Sequence, residues 1–183
     1  MGKSFGKSVF VGISILAVCA IFLALQPAPK KFRVGTFDSR AIAIAYASSD
    51  LNAQYLTSLR AKYEKAKAEK NEKVIKECEA EGKAQQQVLH QQGFSIASVA
   101  DILDNFKAEM PKILKEADVA VIVSKWEVIS KGPDVETVDI TSSLVKLFNP
   151  SEKARKWIEG LPPQPMSLKE LLILLPEEGK EKK

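Results

Sequence analysis

The sequence predicts an α+β protein, in which a small β-sheet body carries a long inserted antiparallel helical hairpin after an N-terminal transmembrane or signal helix. The apolar run Val9–Leu25 is long enough for export or membrane insertion. The proline-free stretch Leu51–His90 is rich in alanine, glutamate, lysine and glutamine, which favour helix. The β-branched run Val119–Val123 is typical of a buried strand. Because extended segments precede and follow the helical stretch, the helices form an insertion in the sheet.

Composition excludes several classes of function. A chain of 183 residues fits one domain with appendages. The net charge of +4 is spread over interleaved signs, whereas a nucleic-acid partner needs a basic stripe. Two cysteines and one histidine supply few ligands for a metal cage and few partners for a cysteine–histidine catalytic pair. We therefore expect no cofactor, no nucleic acid and no enzyme activity.

The length of the N-terminal apolar run lies between that of a signal-peptide core and that of a membrane-spanning helix. The run is preceded by Lys3 and Lys7, as in secretory signals, but it is longer than most signal cores and close to a membrane span. Three interpretations stay open: an uncleaved anchor, a cleaved signal peptide, and a lipoprotein signal or buried helix. Residues 1–28 are assigned to a signal peptide or membrane anchor, which directs the chain to export or to a membrane.

The domain at 30–148 begins with a strand and a short helix. Phe32–Phe37 alternates in polarity as a strand does, and Asp38 or Ser39 can cap a helix that reaches Tyr46. Asp50 is an N-cap for the long helix that follows.

The long helix needs a partner along a thin seam. Its apolar stripe falters at Lys70. The following segment repeats apolar residues at heptad spacing, which predicts a returning helix and a coiled-coil arm over about 50–117 with its tip near Gln91–Phe94. The outgoing stripe comprises Leu56, Leu59, Tyr63, Ala66, Val74, Cys78 and Val88, and the returning one Ile96, Val99, Leu103, Phe106, Met110, Ile113 and Ala117.

Two further strands close the domain. After Val119–Val123, a short strand is expected at Trp126–Ser130, then a turn at Lys131–Asp134 and an extended segment at Val135–Val138. Asp139 or Thr141 then caps a helix that ends at Phe148.

This order of elements carries a resemblance. Ala117–Phe148, with its Asp139-Ile140-Thr141 helix start, and Arg33–Asp38 resemble the corresponding segments of the Skp/OmpH family of periplasmic chaperones. The resemblance implies a trimer whose sheets form a body and whose hairpins surround a cavity. It further implies binding of unfolded outer-membrane or exported proteins without nucleotide. Soluble members of the family lose their signal, so attachment to the inner membrane through residues 9–25 is expected from the apolar run itself and departs from the family.

The sequence also departs from that family. The expected tip, Gln85–Gln92, is rich in glutamine where family tips are basic. The extension at 149–183 has no family counterpart: Asn149-Pro150 opens a short helix, Leu161–Pro165 is an extended spacer, and a capping box precedes Leu168–Leu175. An alternative function is therefore a membrane-anchored structural or interaction protein of the cell envelope, which uses the arm and the C-terminal helix.

Candidate contact residues follow from exposed apolar positions. Such contacts to cargo or a partner are expected from Phe94, Tyr63, Leu168, Leu171 and Leu172. The acidic residues Asp38, Asp101, Asp104 and Asp139 show no spacing typical of a catalytic pair and are expected to cap helices or face solvent.

Overall fold

The structure is a computed structural model that describes residues 31–174. The chain divides into two units, Met1–Lys31 and Phe32–Lys183, and the fold described below is that of the second unit. The predicted signal or anchor helix at 9–25 lies outside the described residues. Within residues 31–174, no helix combines the length and the apolar character that crossing a membrane requires.

A three-stranded sheet forms the body, as the sequence predicts. Its strands are β1 (Phe32–Phe37), β2 (Val121–Ser124) and β3 (Val135–Asp139), in the order β2-β1-β3. Both outer strands run parallel to β1. The predicted strand at Trp126–Ser130 is wrong: residues 125–134 are the crossover that carries the chain from one edge of the sheet to the other, as parallel pairing requires.

Helices occupy the connection from β1 to β2 and the part of the chain that follows β3. The elements are α1 (Ser39–Ala47), α2 (Asp50–Ala68), α3 (Glu72–Gly93), α4 (Ala100–Leu103), a 3₁₀ turn (Asp104–Phe106), α5 (Met110–Ala117), α6 (Thr141–Lys146), α7 (Glu152–Glu159) and α8 (Leu168–Leu174). Together with the sheet they confirm the α+β class.

The long helix predicted over Leu51–His90 is interrupted at Lys70. This residue has φ 55°, and the amide of Asn71 donates to the carbonyl of Ala66 at 2.8 Å, as in a Schellman motif. The side chain of Asn71 then accepts a hydrogen bond from the Val74 amide and caps α3. The chain therefore turns back at 69–71, whereas the tip had been expected at Gln91–Phe94.

The two resulting helices lie side by side. The Tyr55 hydroxyl donates to Glu81 at 3.1 Å, and the Lys62 ammonium lies 3.8 Å from the same carboxylate. Gly82 faces Leu59 across the pair. A Cβ added at Gly82 would lie 3.7 Å from a methyl carbon of Leu59. Cys78 is buried and free. We call α2 and α3 the helix pair.

The predicted returning helix over 95–117 is divided into α4, the 3₁₀ turn and α5. Gln92 fixes the break, since its side-chain amide donates to the Ser98 carbonyl and to the Asp101 carboxylate at 2.9 and 2.8 Å. Most of the heptad side chains face the body and not α3: Val99 and Ile113 are core residues, and Leu103, Phe106, Met110 and Ala117 pack against that core.

One face of the sheet supports the core. Gly35 lies on this face, where an added Cβ would come within 3.1 Å of Ile140 and Val119 side-chain atoms. The core brings together Phe37, Ala41, Ile42, Ala45, Val99, Ile102, Ile113, Ile140, Leu144, Val145 and Phe148. The Phe148 ring also packs edge-on against Phe106, with centroids 4.8 Å apart.

Candidate functional site: the open face of the sheet

The opposite face of the sheet is apolar and solvent-accessible. The strand register aligns Val34 with Val121 on one side and Thr137 on the other, so side chains of these residues share a face. On it, Phe32 is 53% exposed and Val121 39% exposed. We call this surface the open face; its strand residues are Phe32, Val34, Val121, Val123, Val135 and Thr137.

The chain connectivity explains why the face is open. Helices commonly cover both faces of parallel sheets. The connection from β1 to β2 contains α1 to α5, which pack on the core face. The connection from β2 to β3 runs in the opposite direction across the sheet, so a right-handed crossover must pass over the other face. That connection, residues 125–134, contains no helix, and it covers the face incompletely.

The crossover and the strands enclose a shallow groove. Its volume is about 620 Å³, and Glu127–Gly132 forms one wall. Ile129, at the middle of that segment, is fully exposed. Large apolar side chains in such positions mark a surface that binds another polypeptide or an apolar ligand.

A charged cluster closes the carboxyl end of the same sheet. Asp38 follows β1 directly, and Lys125 and Trp126 follow β2. The Asp38 carboxylate accepts hydrogen bonds from Arg40 Nη2 at 2.7 Å, Arg40 Nε at 3.0 Å and Trp126 Nε1 at 3.0 Å, and it lies 3.1 Å from the Lys125 ammonium. Both Arg40 and Lys125 also lie within 5 Å of the Trp126 ring centroid.

The cluster keeps Asp38 ionised. Burial alone would raise the pKa of Asp38, but the hydrogen bonds from Arg40, Trp126 and Lys125 outweigh it and lower the pKa to about 2. A carboxylate with this pKa is a poor base near neutral pH, because its affinity for a proton is too low to withdraw one from a substrate group. The cluster therefore joins the ends of two strands to the start of α1 and has no arrangement typical of acid–base catalysis.

Arg40 also holds the chain beyond α7. Its Nη2 donates to the Pro162 carbonyl at 2.8 Å and its Nη1 to the Gln164 carbonyl at 2.9 Å. We call residues 161–166 the proline segment. The predicted extended spacer is thus seated on the body, and a buried guanidinium satisfies its carbonyl groups.

The predicted contact residues do not form one site. Phe94 is partly exposed and lines a cavity of about 530 Å³ with the proline segment. Tyr63 is half-buried on α2, away from that cavity. On α8, Leu171 is buried whereas Leu172 is exposed. Leu168 begins α8, and only its backbone is described.

Because its tip lies at 69–71 and not at Gln91–Phe94, the helix pair carries charged residues where glutamines were expected. Six lysines lie near the turn at 69–71, at positions 62, 65, 67, 70, 73 and 76, and four glutamates lie among them, at 64, 69, 72 and 77, so that the net charge over 62–77 is +2. The glutamine-rich segment expected at the tip lies instead at the other end of α3. There Gln85, Gln86 and His90 line a groove against Ala43 of α1.

Sequence reasoning missed both the open face and the Asp38 cluster. The signal for the cluster is the position of Asp38 and Lys125 directly after two strands, but it can be read only when those strands are known to be parallel neighbours. Within the described part of the chain, no group of three or more histidine, cysteine, aspartate or glutamate side chains is placed to hold a metal ion.

The sequence of the chain matches no family model and no curated protein, and its fold matches no solved structure.

Proposed function

We propose that this chain is a holdase chaperone that binds unfolded exported or outer-membrane proteins without nucleotide, as the resemblance to the Skp/OmpH family implies. The observation that carries the proposal is the open face, an apolar sheet surface that no helix of residues 31–174 covers. An unfolded client exposes the apolar side chains that a folded protein hides. Burial of such surface is favourable by about 25 cal/mol per Å², without any requirement for a defined sequence.

The helix pair supports the same proposal through its charge. Over 62–77, around its tip, six lysines stand against four glutamates, which gives a net charge of +2, and Lys65 and Lys73 pair with Glu69 and Glu77. In family terms the helix pair is the arm, and family tips carry a positive charge. A net positive charge at the tip increases the rate at which acidic clients and anionic membrane surfaces are met.

The remaining parts of the proposal follow from the resemblance and from the N-terminal sequence. The chain acts in the periplasm, where Val9–Leu25 anchors it in the inner membrane or is removed as a signal. It assembles with copies of itself, and by resemblance the assembly is a trimer in which the arms surround the client. It is not an enzyme and uses no cofactor.

An aggregation assay tests the proposal. An unfolded outer-membrane barrel protein is diluted from urea with and without the full-length chain, and light scattering is recorded. We expect stoichiometric amounts of the chain to suppress scattering. Ile129→Asp should weaken suppression, because it places a charge on the open face. Ile96→Asp is the matched control, since Ile96 is 60% exposed but does not line the open face. If the wild-type chain does not suppress scattering, the chaperone proposal is wrong.

A second candidate function has one observation in its favour. On α8, both Leu172 and Ile173 are exposed beside each other. A short helix with exposed apolar side chains is typical of an interaction segment, so the alternative is an interaction protein of the cell envelope. Photo-crosslinking from position 172 in cells tests it: a discrete adduct is expected, and crosslinking no stronger than from Lys169 on the same helix would contradict it.

A further inference from the structure

The outer edge of β2 presents free backbone hydrogen-bonding groups. The Lys125 amide donates to the Phe37 carbonyl of β1 at 2.8 Å. Successive amides of a strand point to opposite sides, so the Val123 amide also faces β1, whereas those of Ile122 and Ser124 face away. Among residues 31–174, no hydrogen-bond partner lies at these two outward amides. The edge therefore offers two donors and the Ile122 carbonyl.

An apolar groove runs beside this edge. Its volume is about 510 Å³, and the whole of β2 forms one wall. The opposite wall consists of side chains from α4 and α5, which include Leu103, Met110 and Leu114. Lys107 also lines the groove and forms an exposed ion pair with Asp104 at 3.0 Å. A groove between an edge strand and helices is the arrangement that receives an extended peptide.

The two edges of the sheet differ in how they resist pairing. Charged side chains on an edge strand discourage the addition of another strand. The outer strand β3 carries Glu136 and Asp139, and Lys131 donates to its Thr137 hydroxyl at 3.1 Å. The strand β2 carries no charged residue between Val121 and Ser124. Of the two edges, the β2 edge joins unpaired backbone groups to a mainly apolar groove, whose charged lining residues are Asp104, Lys107 and Glu127.

We infer that β2 accepts an added strand, and that the occupant is an extended, uncharged segment of a partner polypeptide rich in β-branched and aromatic residues. Its backbone pairs with Ile122 and Ser124. Its alternate side chains enter the groove on one side and extend the open face beside Val121 on the other. Because recognition is mainly through the backbone, many sequences fit. The identity of the partner as an unfolded client rests on the proposed function, whereas the site itself does not.

The probe is a fluorescent peptide of alternating valine and threonine with lysine at both ends, tested with the full-length chain. Binding is followed by fluorescence anisotropy, and amide exchange is measured residue by residue by NMR. We expect the peptide to slow exchange at Ile122 and Ser124 by at least tenfold, with a smaller change at Val123, whose amide already faces β1. A peptide of the same sequence with N-methylated amides should not bind, because it keeps the side chains and loses the donors.

Two variants test the edge. Ile122→Pro removes an amide that faces outward and leaves the bonds to β1, so circular dichroism should show a folded protein that binds the peptide at least tenfold more weakly. Val121→Lys introduces a charge at the same edge, and should also weaken binding. Val88→Lys is its matched control, because Val88 is 39% exposed, as Val121 is, but lies on α3 and lines neither the groove nor the open face. We expect this control to bind as the wild type does.

The outcomes separate this inference from the chaperone proposal. Suppression of aggregation with no protection at Ile122 and Ser124 would overturn the added strand and leave the holdase function standing. Protection of these amides by the peptide, without suppression of aggregation, would overturn the holdase function and leave the added strand standing. Protection of the same amides without peptide, growing with protein concentration, would show that a second copy of the chain occupies the edge, and would overturn the choice of occupant.

Discussion

The stability that Asp38 contributes should be lost in acid, over a pH range that its lowered pKa sets. The variant that tests this is Asp38→Asn, which keeps the size of the side chain and removes its charge. Asp38 is 4% exposed and accepts hydrogen bonds from Arg40 and Trp126, with Lys125 close by. Removal of one partner of a buried ion pair costs about 3–5 kcal/mol, because the remaining charge is left uncompensated.

The lowered pKa of Asp38 determines how much of this loss of stability depends on pH. The pKa of Asp38 falls from its ordinary value of 3.8 to about 2 in the folded chain. A folded-state pKa below the unfolded value stabilises the protein above the unfolded pKa, and this stabilisation is lost as the pH falls through the folded pKa. The drop corresponds to about 2 kcal/mol at pH 7. Roughly half of it should already be lost at pH 3.

Urea unfolding of wild type and Asp38→Asn, followed by circular dichroism from pH 7 to pH 3, measures the difference in free energy of unfolding. Other carboxylates titrate in both proteins, so their contributions cancel in that difference. We expect the difference to be largest near neutral pH and to decrease by roughly 1 kcal/mol between pH 5 and pH 3. A difference that stays constant over this range would refute the assignment of a lowered pKa to Asp38.

Three further substitutions test the fold. Gly35→Ala should lower the free energy of unfolding by about 1–3 kcal/mol in urea titration, because the new methyl group meets two core side chains at 3.1 Å; an unchanged midpoint would contradict the packing. Lys70→Gly should raise the melting temperature, with a gain of about 1 kcal/mol, because φ 55° suits glycine; a loss would place the helix turn elsewhere. Arg40→Lys keeps the charge beside Asp38 but cannot bridge two carbonyls, so exchange of the Leu161 amide, which donates to the Ile158 carbonyl at the start of the proline segment, should accelerate about tenfold; exchange as slow as in wild type would show that Arg40 does not hold the segment.

The local elements were largely predictable from sequence. The strand expected at Phe32–Phe37 is β1 with the same bounds, and the capping box at Ser167 and Glu170 forms as expected. Asp38 caps α1 and Ser49, not Asp50, caps α2. These features depend on neighbouring residues, so a short stretch of sequence contains the information that determines them.

The helix pair shows where local reasoning fails. Strong helix formers lie on both sides of Lys70, so propensity gives no reason to end α2 there. The end of α2 depends on Asn71, which can cap a new helix. It also depends on contacts between α2 and α3, which join residues far apart in sequence. The heptad stripe after Ile96 was also ambiguous, since the same spacing serves a coiled coil and a helix that covers a core.

The candidate site depended on information that the sequence does not express locally. The open face exists because three strands are parallel and the second crossover lacks a helix. Alternation within Phe32–Phe37 does not reveal which of the two faces will be covered. The Asp38 cluster likewise joins residues 38, 40, 125 and 126 through the order of the strands.

Crosslinking of an unfolded client from the open face tests the central claim most directly. A photo-reactive amino acid is placed at position 129, on the open face, and in a separate protein at position 96, which is also exposed but lies elsewhere. We expect an unfolded outer-membrane barrel protein to be captured from position 129 at least severalfold more efficiently than from position 96, and the folded barrel not to be captured. Equal capture from the two positions, or none from position 129 while aggregation is still suppressed, would contradict the claim that the open face binds the client.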